Sequence, residues 1–110
     1  MKEYLKEILD NYGIDSKGKS VYEYFKTKAS ISDIRDFLCA NGNIIIENLN
    51  GFLYIATISG GFKNMNYAIT VLKLENEKLH IYAVAKEGLI NQHTSKNVID
   101  KIKAEFLNDK

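Results

Sequence analysis

The sequence predicts an α+β domain built from three short N-terminal helices, a four-stranded antiparallel meander and a C-terminal helix packed on the sheet. Three observations lead there. Apolar residues recur at helical spacing up to about residue 41, at a period of two from there to about residue 85, and again at helical spacing from residue 94. Neither repeats nor low-complexity tracts divide the chain, so residues 1–110 read as one domain.

In the first segment Tyr4, Leu5, Ile8, Leu9 and Tyr12 share one helical face, and Gly13 ends the pattern. Residues 15–19 are polar turn formers and read as a surface connection. Ser20 then reads as a helix cap with Glu23 at the third helical position, a reciprocal capping pair ahead of Val21, Tyr22, Tyr24 and Phe25. This second helix is expected to end near Lys28. Ser30 and Asp33 open a third, with Ile31, Ile34, Phe37 and Leu38 on one face, and Asn41-Gly42 reads as a left-handed C-terminal cap.

Beyond Gly42 the residues become β-branched and aromatic, in runs at 44–46, 52–58, 67–74 and 79–85. Asn50-Gly51 signals a tight type I′ hairpin, and residues 75–78 a second close connection. Thr94 and Ser95 compete to cap the last helix, whose inner face carries Val98, Ile99, Ile102, Phe106 and Leu107. Along the third and fourth strands both faces are apolar: Tyr67, Ile69 and Val71 alternate with Ala68, Thr70 and Leu72, and Leu79, Ile81 and Ala83 alternate with His80, Tyr82 and Val84. Either helices cover both faces or another molecule covers one.

Composition narrows the function classes. Hydrophobic residues make up 45% and charged residues 26%, as in globular domains, and a net charge of +1 provides no global field toward nucleic acid or membrane. The cations are lysines apart from Arg35, so bidentate phosphate or guanine recognition is poorly supplied. Enrichment in Lys, Asn, Ile and Tyr is what AT-rich codons supply and points to a low-GC bacterium or a phage. One cysteine and two histidines supply neither a disulfide framework nor a zinc cage, and no apolar run is long enough to span a bilayer. A cytoplasmic protein without cofactor, metal or membrane contact is expected.

The loop from Ser59 to Asn66 is the first candidate site. Gly60 and Gly61 with Lys63 could form an anion nest, but the loop joins strands and lacks the helix that a phosphate-binding loop leads into. The simpler reading is a wide hairpin whose glycines permit the bend. Phe62 and Met65 then fold back on the core or stay exposed; in the alternative where they stand out from the tip they anchor a partner protein, making Gly60, Gly61, Phe62, Lys63 and Met65 a candidate docking loop.

Tyr54, Tyr67, His80 and Tyr82 form a second candidate, a patch on the sheet able to stack bases or to line a small-molecule pocket. His80, His93 and Cys39 have no spacing that joins them in a catalytic dyad. Cys39 reads as a buried structural thiol and His93 as an exposed residue before the last helix. A winged helix with residues 31–40 as reader and Asn50-Gly51 in the wing would bring Asp33 and Asp36 toward phosphates, which argues against it.

Without catalytic residues to name, the leading expectation is a non-enzymatic protein-binding module, a small inhibitor or adaptor, binding a partner protein or a second copy of itself as a homodimer. Nucleic-acid binding and small-molecule binding are the alternatives.

Overall fold

Segments whose residues alternate between two apolar faces need neighbours on both edges and cover on both sides, and this requirement organises the chain. The computed structural model describes residues 1–61, 65–88 and 91–107. In order these form α1 (Lys2–Asn11), β1 (Lys19–Lys26), α2 (Ile31–Asn41), β2 (Gly42–Asn48), β3 (Leu53–Ser59), β4 (Tyr67–Glu75), β5 (Lys78–Ala85) and α3 (Thr94–Phe106). The architecture is α+β, with one antiparallel sheet in the order β1-β5-β4-β3-β2. Strands β2 to β5 are the expected meander. The sheet nevertheless has five strands and not four, because β1 adds to the outer edge of β5.

That strand replaces the expected second helix. Val21, Tyr22, Tyr24 and Phe25 satisfy both periods, and their branched and aromatic side chains favour a pleated surface once β5 offers an edge. Ser20 faces Val84 across the ladder and caps nothing, while Glu23 reaches α3, where Lys103 lies at 2.8 Å and Lys96 at 3.8 Å. The capping box sits ten residues later instead. Ser30 Oγ accepts from the Asp33 amide at 3.1 Å, and the Asp33 carboxylate accepts from the Ser30 amide at 2.9 Å.

Two turn assignments also change. Gly42 is extended and already starts β2, so α2 ends without a left-handed cap. A Cβ on Gly42 would meet the Thr57 carbonyl oxygen at 2.2 Å, so β3 excludes a side chain there. Asn50-Gly51 is not a type I′ turn: the Asn48 side chain accepts from the Gly51 amide, and Phe52 takes the positive φ of 51°. The paired left-handed residues are Asn76 and Glu77, between the cross-strand pair Glu75 and Lys78.

Helices cover both faces of the sheet. Ile34 and Leu38 of α2 and Val98, Ile99 and Ile102 of α3 bury one face, formed by residues such as Tyr54, Ala56, Leu72 and Ile81. Leu5, Ile8 and Leu9 of α1 bury the other against Ile55, Val71, Tyr82 and Val84. Full burial of each such side chain contributes about 1.5–3 kcal/mol. Cys39 is exposed, so the buried-thiol expectation fails: it follows Leu38 on the side of α2 turned away from the sheet.

The placement of the cap separates strand from helix experimentally. Ser30→Ala should lower unfolding free energy in urea by about 1 kcal/mol, whereas Ser20→Ala, on an exposed strand position, should change it by a few tenths at most.

Candidate functional site

The docking loop is held by α3. Gly60 and Gly61 both donate their amides to the Asn66 carbonyl, at 3.0 and 3.1 Å, so the two donors that might have cradled an anion are occupied by the chain itself. Both glycines are buried. A Cβ on Gly60 would approach Val98 Cγ2 to 2.6 Å and the Thr94 carbonyl to 2.8 Å, and one on Gly61 would meet Gln92 Oε1 at 2.5 Å. Close approach to the helix therefore demands glycine at position 60, whereas at 61 the Asn66 Cβ of the same loop, 2.5 Å away, does so through the bend itself. Met65 is 80% exposed. Phe62 and Lys63 lie outside the described residues.

Asn66 and Glu87 lock this end of the sheet, and sequence reasoning singled out neither. Asn66 Nδ2 donates to the Lys86 carbonyl at 3.0 Å and to Thr94 Oγ1 at 3.1 Å. The Glu87 carboxylate accepts the Thr94 amide at 2.9 Å and the Gln92 amide at 3.4 Å, so it caps α3 from outside the helix. Neither Thr94 nor Ser95 is the cap. The capping position belongs to His93, left-handed and exposed, and the two hydroxyl residues are buried just inside the helix. Burial opposes the charge on Glu87, but the hydrogen bonds from Thr94, Gln92 and Asn66 outweigh it and hold its pKa below the ordinary 4.5.

Beside this loop a cleft of about 310 Å³ opens between residues 15–17 and the ends of β4 and β5. The cross-strand pair Ile69 and Val84 contributes apolar lining, Tyr67 is 56% exposed, and Asp15 with Lys86 forms an ion pair of 2.7 Å. That contact, and then the Lys17 amide, hold the Asp15 carboxyl below its usual range. A wider groove of about 530 Å³ separates the start of α2 from the end of α3 and carries Asp33, Asp36 and Glu105 around Phe37 and Phe106.

The four residues of the expected sheet patch do not meet. Tyr54 is fully buried on the face covered by α2 and α3, where its hydroxyl donates to Glu47 at 2.6 Å; burial, and then that bond, push its pKa up to about 12. Glu47 in turn accepts from Arg35 at 2.8 Å. Tyr82 is buried under α1, and Tyr67 stands at the loop end of β4. His80 keeps company the sequence reading missed, because Tyr22 and Tyr24 were assigned to a helix. His80 stacks on Tyr24 with centroids 5.4 Å apart and shares a 2.9 Å hydrogen bond with the Tyr22 hydroxyl. Burial chiefly lowers its pKa below 6.5, with Lys78 and the N-terminal ammonium adding and Glu75 opposing.

Among the described residues no three His, Cys, Asp or Glu side chains gather as a metal site, and no helix is long and apolar enough to cross a membrane. Comparison with known protein families, curated proteins and solved structures finds no match.

The Glu87 cap has a pH signature. A carboxylate held below its unfolded value stabilises the fold above that value and loses the contribution as pH falls through the folded one. Glu87→Gln should therefore lower the melting temperature at pH 7, and the gap to the parent should close as pH drops below 4.5. Thermal unfolding across pH 3 to 7 by circular dichroism, with steps of roughly half a unit, checks both signs.

Proposed function

We propose that the protein is a non-enzymatic protein-binding module, a small inhibitor or adaptor, which engages its partner through the loop end of the sheet. The observation that carries this reading is Met65, four-fifths exposed, two residues before the exposed Tyr67 that lines the adjoining cleft. A flexible thioether and an aromatic ring beside a concavity form a projection and a recess that folding does not require. The close packing of Gly60 on α3 and the hydrogen bonds of Asn66 hold both ends of that loop, so the contact residues stand on a fixed base.

The carboxylates with resolved partners support the reading as well. Asp33 and Glu87 cap helices, Glu23 ties β1 to α3, and Glu47 bridges Tyr54 and Arg35. Each of these four is committed to holding the fold.

Absolute mass in solution across a concentration series, paired with affinity capture, separates a second copy from a foreign partner. In either case Met65→Ala with Tyr67→Ala should weaken the association at least about tenfold, close to 1.4 kcal/mol. The melting temperature should stay near that of the parent, since both side chains are exposed. An association constant unchanged in the double variant overturns the assignment of the loop.

A further inference from the structure

We propose that the open margin of the sheet along β1 and β5 is a binding surface for single-stranded nucleic acid, with Tyr24 and His80 as the stacking platform and Lys26 and Lys78 as the phosphate contacts. The ladder register puts Tyr24 directly opposite His80 and Lys26 directly opposite Lys78. Strand alternation places all four, together with Tyr22, on the same face. The three rings form one ladder: Tyr22 to Tyr24 at 6.2 Å, Tyr22 to His80 at 6.2 Å and Tyr24 to His80 at 5.4 Å. The hydrogen bond between Tyr22 and His80 fixes the inner rings, while Tyr24 is 57% exposed and offers its surface to solvent.

The two lysines break a rule that the rest of the protein keeps. Like charges directly opposite on a sheet destabilise it, and neither ammonium has a carboxylate within 4 Å among the described residues, although Glu75 faces Lys78 across the β4–β5 ladder. The Lys78 ammonium instead lies 5.5 Å from the centre of the Tyr24 ring. Two cations beside an exposed aromatic stack, against the single carboxylate of Glu75, suit a polyanion with π-faces. An acidic peptide would satisfy the lysines but not the rings, and a duplex would hide its bases from them. The surface is separate from the proposed protein-docking loop: Lys73, opposite His80, lies six residues along β4 from Tyr67, about 20 Å away.

The test is fluorescence anisotropy with a labelled oligothymidylate of about twelve nucleotides, titrated at salt concentrations from about 20 to 200 mM. Saturable binding is expected at low salt, with log affinity falling against log salt at a slope of about −1.4 for two phosphate contacts. Tyr24→Ala should weaken binding about tenfold and Tyr24→Phe should retain it. Lys26→Ala with Lys78→Ala should flatten the salt dependence, and the Met65 and Tyr67 double variant should bind as the parent does. Absence of binding at the lowest salt overturns the proposal, as does an affinity unchanged by Tyr24→Ala. Displacement by polyglutamate of equal charge as effective as by unlabelled oligothymidylate also overturns it and reassigns the surface to an acidic peptide.

Discussion

The register that seats β1 on the outer edge of β5 is the constraint on which the rest of the structure depends. It joins the start of the chain to its last strand, and α3 can dock only because both are in place. Ser95 donates to the Lys19 carbonyl at 2.7 Å, Thr27 donates to the Phe106 carbonyl at 2.7 Å, and Lys103 meets Glu23. A slip of one residue would turn Val21, Glu23 and Phe25 out from under α3 and drive Tyr22, Tyr24 and Lys26 into the core. The same pairing that closes the fold therefore decides which side chains reach the opposite surface.

The sheet's other requirement is cover on both sides, and the two sides are served unequally. On one, α2 and α3 together bury most of the face. On the other stands α1 alone, ten residues long and so about 15 Å, against five strands that span about 19 Å from edge to edge. Leu5, Ile8 and Leu9 seal the middle of that face. Tyr24 at the β1 margin and Tyr67 and Met65 at the loop end stay exposed, while half-buried His80 lies within the field of the N-terminal ammonium at the start of α1. Both candidate surfaces thus lie on margins of the sheet beyond the residues that Leu5, Ile8 and Leu9 seal.

How much of this could be read in the sequence follows from how local each determinant is. The Ser30–Asp33 cap, the apolar stripe of α1 and the alternation of β3 to β5 are local, and the sequence expresses them directly. The β1 segment has the same apolar residues under either period, and only the remote edge of β5 decides between them. The error carried through to the site: with Tyr22 and Tyr24 assigned to a helix, His80 was grouped with Tyr54 and Tyr82, which alternation alone could not separate by burial. Gly60 is legible as part of a loop but not as a contact of α3, because the Val98 and Thr94 atoms that exclude a Cβ lie more than thirty residues on. Asn66 and Glu87 carry no sequence signal, since an amide or a carboxylate in a loop is ordinary until a helix terminus is folded against it.

A net charge of +1 excludes long-range steering, yet it does not describe the field at any one surface. Pairing distributes the charges unevenly. Glu23 is taken by Lys103 and Lys96, Asp100 by Lys96, Glu47 by Arg35 and Asp15 by Lys86, so these carboxylates are engaged on the α3 side or at the rims. Lys26 and Lys78 face each other across the β1–β5 ladder beside the rings, with Glu75 opposite Lys78 on its other side. The placement of these two lysines beside the open aromatic faces arises from the same β1–β5 register that commits Glu23 to the opposite side of the sheet.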